Sequence, residues 1–215
     1  MSTWDLFYNN TGRSVLKWTH YFPAYERHFS PWRNRSLTFI EIGVLGGGSL
    51  EMWYKYFGPL ATIIGIDINP ACKEYERAGI NVRIGDQSDP KFLQSVIDEF
   101  GIPDIVLDDG SHIAEHQRAS FEFFYPRMPK NSVYMVEDLH TSYWPSHNGG
   151  INNPNSFVNY SKNLIDQLNA DWDQSGQVTP TQFTRETLTM SYYDSIIVFE
   201  KGNIPIKESW SSGRS

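Results

Sequence analysis

The chain holds one cysteine, Cys72, in 215 residues. That excludes an intrachain disulfide and fits a reducing compartment. Positive charge is also scarce: 18 Lys and Arg stand against 25 Asp and Glu, a net charge of -7. Binding to a phosphate backbone normally needs a basic footprint, so nucleic acid is not expected as substrate or partner. Long apolar runs are missing. Nothing approaches the ~18 consecutive apolar residues of a bilayer span, and Met1 to Asp5 lack the basic start and apolar stretch of a signal peptide. No membrane attachment is expected, and the plain reading is a cytoplasmic protein. No internal repeat and no linker interrupt the chain, so residues 1–215 are expected to form a single α/β domain large enough for a full core.

The stretch Phe39 to Asp67, FIEIGVLGGGSLEMWYKYFGPLATIIGID, organises the rest. The apolar run Phe39, Ile40, Ile42 predicts a buried strand, Gly43, Gly46, Gly47 and Gly48 a tight loop, and Ser49 to Tyr56 a short helix. A second apolar run, Thr62 to Ile66, ends on Asp67. Strand, glycine loop, helix, strand and acid make the first half of a dinucleotide-type βαβ unit. Its loop lets a ligand approach the backbone, and its acid can accept from ribose hydroxyls. A phosphate-binding GxGxxG needs glycine two positions after Gly43, where Leu45 stands, and this weakens a pyrophosphate reading. Glu41 beside the loop suits a cationic ligand, since a carboxylate repels phosphate and attracts an amino group. The pattern Glu41-x-Gly43-x-x-x-Gly47-x-Ser49 resembles motif I of the class I S-adenosylmethionine (SAM) methyltransferases. Glu41, Gly43, Gly47, Ser49 and Asp67 are therefore candidate cofactor residues.

Residues 1–36 are crowded with rings, among them Trp4, Trp18, Tyr21, Phe22, Tyr25, Phe29 and Trp32, interrupted by Lys17, His20 and several arginines. They either pack against the sheet or a partner subunit, or cap an active site by stacking on sugar or adenine. Beyond Asp67, Asn69 as N-cap and Pro70 open a predicted helix to Ala78. Asn81 to Ile84 predicts a short strand, after which Asp86 and Gln87 could reach an adenine edge, or Asp86 could simply form an Asx turn before a helix over Pro90 to Phe100. Ile105 to Leu107 predicts a fourth strand, followed by a helix burying Ala119, Phe123 and Phe124. Ser132 to Val136 predicts a fifth. Residues 143–154 lack periodicity and read as a mobile loop over the same edge. Asn155 to Trp172 predicts a long helix burying Phe157, Leu164, Ile165, Leu168 and Trp172. Leu188 to Tyr192 and Ser195 to Glu200 predict a hairpin about Tyr193-Asp194, its second arm apolar on both faces as in a covered sheet. Residues 203–215 read as a loose polar tail. The expected architecture is a Rossmann-like, doubly wound, mainly parallel sheet of about seven strands with a C-terminal antiparallel hairpin, an ending that favours methyl transfer over hydride transfer.

Two acidic clusters carry most of the chemistry. Asp108-Asp109-Gly110-Ser111-His112 follows the fourth strand and Glu137-Asp138-Leu139-His140 the fifth, both at carboxyl ends, where open α/β sheets bind ligands. If those strands are neighbours, Asp109, Glu137 and Asp138 converge, and like charges that close require a cation. Three carboxylates with open positions suit Mg²⁺ or a similar hard divalent ion. Asp86, Gln87 and Asp108 join the candidate cofactor residues, and His140, Tyr143 and Trp144 are candidate substrate contacts.

The blocks EIGVLGGGSLEMW, DDGSH, VEDLHTSYW and YYDSIIVFEKG together resemble the metal-dependent sugar O-methyltransferases of macrolide and related antibiotic biosynthesis, the mycinamicin glycoside type. Cephalosporin hydroxylase-like proteins share much of the pattern. The likeness spans residues 14–202. It implies SAM as donor, Mg²⁺ on Asp109, Glu137 and Asp138, and His112 as general base. The alternative reading of the residues makes His112 only a helix N-terminal residue, with His140 or Asp108 as substitute bases. It also implies that a metal-bound hydroxyl of a sugar or glycosylated small molecule loses its proton to His112 and takes the methyl group. Another vicinal diol such as a catechol is an alternative acceptor. A catalytically silent SAM- or nucleotide-binding protein is a second alternative, against which the intact Asp109, His112, Glu137 and Asp138 argue. Members of that group often carry a further N-terminal domain for assembly or substrate binding. It is expected to be missing here, which leaves homo-oligomerisation and the acceptor open.

Overall fold

The computed structural model describes residues 1–213. Helices α1 (Thr3–Tyr8) and α2 (Phe22–Phe29) precede strand β1 (Leu37–Ile42). Then follow α3 (Gly48–Phe57), β2 (Ala61–Asp67), β3 (Ile80–Ile84), α4 (Pro90–Phe100), β4 (Ile105–Asp108), α5 (Ala114–Phe124) and β5 (Val133–Val136). The chain closes with α6 (Phe157–Leu168), α7 (Gln182–Glu186), β6 (Thr187–Tyr193) and β7 (Ile196–Lys201). The seven strands make one sheet in the order β3-β2-β1-β4-β5-β7-β6. Strands β1 to β5 pair in parallel, while β7 runs antiparallel between β5 and β6, as the expected closing hairpin requires.

Every central strand is apolar on both faces because both are covered. Phe39, Ile63, Ile105, Val133, Ile196 and Val198 face one layer, where Trp53 and Phe57 of α3 meet Tyr25 and Phe29 of α2. Their neighbours Ile40, Ile64, Val106, Tyr134, Ile197 and Phe199 face the other, packed on Leu93 and Val96 of α4, Phe121 and Phe124 of α5, and Phe157 of α6. The two-residue period of a strand thus sorts adjacent apolar side chains into two cores.

Four local expectations differ from what folds. The helix from Pro70 starts on its Asn69 cap as read, but it is a 3-10 turn ending at Tyr75 rather than Ala78. Glu76 leaves the helix in an extended conformation as its carboxylate accepts from Val82 N–H at 3.0 Å and Arg83 Nη1 at 2.7 Å. The helix read over Asn155 to Trp172 is α6, capped by Ser156, plus a separate 3-10 turn Ala170–Trp172. Phe157 is buried there, but Ile165 and Trp172 are exposed, because this outer helix covers the sheet with a narrow stripe only. In α5, Ala119 is only half-buried, and Ser120 and Phe121 share the buried side with Phe123 and Phe124. The hairpin turns one residue later than expected, at Asp194-Ser195, where Ser195 takes a left-handed φ of 66°. Residues 143–154 contain a 3-10 turn, Pro145–His147, and are pinned by bonds such as Gly150 N–H to Ser142 O at 2.8 Å. Of the tail 203–215, residues 203–213 form no helix or strand, and 214–215 lie outside the described residues.

Candidate active site

The sheet register assembles the site. Ile42, Asp108 and Val136 lie in one row across β1, β4 and β5. The ladder continues one step further, with Asp109 N–H donating to Ile42 O and Glu137 N–H to Asp108 O, each at 2.9 Å. Gly43, Asp109 and Glu137 therefore leave the sheet side by side, at the point where connections from β1 and β4 diverge to opposite sides.

The glycine loop closes against this row. Gly43 has φ 95°, and a Cβ there would lie 2.0 Å from the Asp109 carbonyl oxygen. Asp67 at the end of β2 holds the loop: its Oδ2 accepts from Val44 N–H at 2.8 Å and Leu45 N–H at 3.2 Å, and its Oδ1 from Asn69 N–H at 2.8 Å. Two cavities flank the loop. The larger, ≈ 380 Å³, joins Gly43, Ser49 and Asp67 to Asp109, His112, Glu137 and Asp138, and is walled by Ser14–Trp18 and Tyr21. The smaller, ≈ 180 Å³, lies between Asp67, Asp86, Gln87, Ser111 and His116, with Ile42, Ile66 and Ile68 as apolar walls.

Asp109, His112 and Asp138 each offer a ligand atom, all within 4.8 Å of one another. His112 reaches the cavity by adopting φ 58°, which is costly for a residue with a side chain. Its Nε2 stands 3.5 Å from Asp138 Oδ2, and its buried Nδ1 has no hydrogen-bond partner among the described residues. The Tyr21 hydroxyl donates to Asp138 Oδ1 at 2.5 Å. Burial and that carboxylate push the Tyr21 phenol up, so it remains a donor.

Glu137 stands beside this trio but is engaged otherwise. Its Oε1 accepts from the Tyr25 hydroxyl at 2.5 Å and its Oε2 from Lys17 Nζ at 2.9 Å. The same ammonium lies 2.6 Å from Asp109 Oδ2 and 3.5 Å from Glu41 Oε1. Burial alone would push the Lys17 ammonium down, but Asp109, Glu137 and Glu41 together hold it well above the ordinary lysine value. Burial raises the Glu137 carboxyl against the pull of Lys17. The cation that sequence reasoning required between the acids is thus, for Asp109 and Glu137, a lysine of the chain itself. Lys17 and the phenols of Tyr21 and Tyr25 are site residues that the sequence reading missed. A single lysine inside an aromatic run, in a chain whose acids cluster, was the available signal.

Several candidates sit elsewhere than their expected roles suggest. Glu41 is buried behind the loop, accepting from Ser49 Oγ at 2.6 Å and Trp53 Nε1 at 3.0 Å, and burial raises its carboxyl. It braces α3 rather than facing the cavity. Asp108 is fully buried and lines neither cavity; Ser120, Gln87 and Tyr134 hold its carboxylate, which burial pushes up. Asp86 forms the Asx turn, accepting from Ser88 N–H and Oγ at 2.7 Å each, and also borders the smaller cavity. Gln87 bridges Asp108 to Ser111 N–H, its Oε1 accepting there at 2.9 Å. His140 is tied to Ser195 Oγ at 2.6 Å, and its ring meets Trp144 at 4.8 Å and Trp18 at 5.8 Å, forming an exposed aromatic row with Tyr143 nearby in sequence. Of the N-terminal rings, Phe22, Tyr25 and Phe29 enter the core, while Trp18 and Tyr21 wall the larger cavity. Among the described residues no helix is long and apolar enough to cross a membrane.

No family model matches the chain. It is 37% identical over 190 residues to the 8-demethyl-8-alpha-L-rhamnosyl tetracenomycin-C 2'-O-methyltransferase of Streptomyces olivaceus, covering 84% of this chain and 50% of that protein. It is 35% identical over 196 residues to the mycinamicin VI 2''-O-methyltransferase of Micromonospora griseorubida, covering 85% and 48%. Its structure superposes on the MycE methyltransferase of the mycinamycin biosynthetic pathway, solved in complex with Mg and SAH, with a TM-score of 0.81 at 31% identity, covering 95% of this chain and 56% of that one. The chain spans about half the length of the curated relatives it matches. Over that shared half, it has the class I methyltransferase fold and is a homologue of the sugar O-methyltransferases of antibiotic pathways.

Proposed function

We propose that this chain carries a SAM- and Mg²⁺-dependent O-methyltransferase that methylates a hydroxyl of a sugar on a small-molecule glycoside. The observation that carries the reading is one cavity joining the glycine loop to Asp109, His112 and Asp138, so that a donor on the loop and a cation on the acids would meet in the same space. Two carboxylates, those of Asp109 and Asp138, with room between them and the His112 ring for water and a hydroxyl, fit a hard divalent ion. The side-chain-free Gly43 and the adjoining smaller cavity fit a nucleoside donor, with its adenine between Gln87, Ser111 and the apolar walls. When bound, the cation lowers the pKa of a coordinated hydroxyl and SAM supplies the methyl group.

The chain's own residues do the rest. Asp109 and Asp138 would hold the cation, and the Tyr21 hydroxyl fixes the Asp138 carboxylate. His112 accepts the hydroxyl proton through Nε2, its cavity-facing nitrogen. Trp18, His140 and Trp144 offer ring faces at the rim for a sugar. The names of two relatives, a methyltransferase for a rhamnosyl tetracenomycin and one for mycinamicin VI, support a glycoside acceptor. The reading extends to residues 1–215 acting as a single catalytic domain in the cytoplasm, on a small molecule rather than a nucleic acid.

SAM added to the purified protein should give a saturable heat by calorimetry. EDTA should abolish methyl transfer to a glycoside bearing neighbouring hydroxyls while leaving SAM binding intact. Transfer indifferent to chelation would remove the metal from the reading, and a catechol methylated in preference to glycosides would replace the acceptor class.

A further inference from the structure

We propose that Lys17 is the resident counter-ion of the Asp109–Glu137 pair and yields that pair to a divalent cation, the strap that carries it withdrawing from the cavity. The inference rests on the metal reading above. Lys17 Nζ bridges Asp109 Oδ2 at 2.6 Å and Glu137 Oε2 at 2.9 Å, with its side chain only 2% exposed. Both oxygens of Glu137 are taken, one by Lys17 and one by Tyr25, which keeps this acid out of the trio that could hold an ion. The ammonium thus fills the gap between two carboxylates that a dication would span. A dication and an ammonium sharing those oxygens in a poorly hydrated site would repel strongly, so that occupancy by one opposes occupancy by the other.

The segment around Lys17 is built to leave. Residues 10–18 form no helix or strand. Among the described residues, no backbone–backbone hydrogen bond joins residues 11–17 to the rest of the chain. Leu16 and Trp18 on either side of the lysine are 78% and 55% exposed. Side chains do the holding: the Arg13 guanidinium lies 4.4 Å from the Tyr75 ring centre and 3.6 Å from Glu51, and Trp18 leans on His140. Against an outward swing stand the half-buried Val15, packed on the core, and the Arg13 and Ser14 carbonyl oxygens set against Gly48, while residues 11–18 are otherwise exposed apart from Lys17; Ser14–Trp18 wall the cavity, so the swing would widen it.

Amine acylation read by mass spectrometry tests this on the wild-type protein, with Mg²⁺ alone as the probe. Lys17 should be protected without metal and approach the reactivity of the exposed Lys55 and Lys91 at saturating Mg²⁺. In calorimetry, Lys17→Met should bind Mg²⁺ about 10-fold tighter or more, since an internal competitor is gone. Mg²⁺ binding with Lys17 still protected would overturn the exchange and leave the metal reading standing. No Mg²⁺ binding by wild type or by Lys17→Met would overturn both.

Discussion

At Gly43 the absence of a side chain decides the site. A Cβ would meet the Asp109 carbonyl oxygen at 2.0 Å, and φ 95° is a conformation that other residues resist. Gly43→Ala should lower stability by about 1–3 kcal/mol in denaturant titration and abolish the heat of SAM binding, because the loop must back away from β4. His112 poses the opposite case, a side chain held at φ 58°. His112→Ala should slow methyl transfer by roughly 10²-fold or more with the heat of Mg²⁺ binding retained, as expected of a proton acceptor. Loss of that heat would make His112 a ligand instead. Asp109→Asn should reproduce the effect of EDTA, with transfer lost and SAM still bound. The residue types were legible in sequence here, since the DDGSH and EDLH blocks carry their own meaning. What was hidden was their company: Tyr21 and Tyr25, read as rings that pack or stack, turn their hydroxyls onto Asp138 and Glu137.

Elements end where a tertiary partner outbids the local pattern. The 3-10 turn Pro70–Tyr75 stops because Glu76 is drawn to Lys73, to the Val82 N–H and to Arg83, which pull its carboxyl from 4.5 to about 2. A depressed carboxyl stabilises the fold fully above its unfolded value and loses that contribution as pH falls through its folded one. Unfolding free energy measured between pH 4.5 and about 2 should therefore fall in the wild type, and Glu76→Gln should flatten the slope over that window. The strands were readable because apolar runs bounded by turns depend on close neighbours only. The reach of the helix after Pro70 was not, because Val82 and Arg83 lie on the next strand.

Across the whole molecule, the N-terminal helices and the closing hairpin are tied to each other as well as to the sheet. His28 of α2 contacts Glu200 at 3.1 Å and the Tyr193 hydroxyl at 2.9 Å, joining α2 to both arms of the closing hairpin over one face. On the other face, Phe199 of β7 packs on Phe121, Tyr125 and Phe183. Phe199→Ala should cost about 3–5 kcal/mol by denaturant titration, the usual price of an aromatic lost from a closed core.

The sequence alone determined the alternation of strands and helices, the closing hairpin, the glycine loop and the two acid blocks. Each follows from residues adjacent in the chain, through side-chain periodicity and the backbone freedom of glycine. Only the tertiary structure decided that Asp109, His112 and Asp138 would share a centre, that Asp108 and Glu41 would be buried behind it, and that Lys17 would stand between Asp109 and Glu137. Those partners are 92 and 120 positions from the lysine, and Coulomb attraction acts through space, leaving no mark along the chain of which charge will meet which.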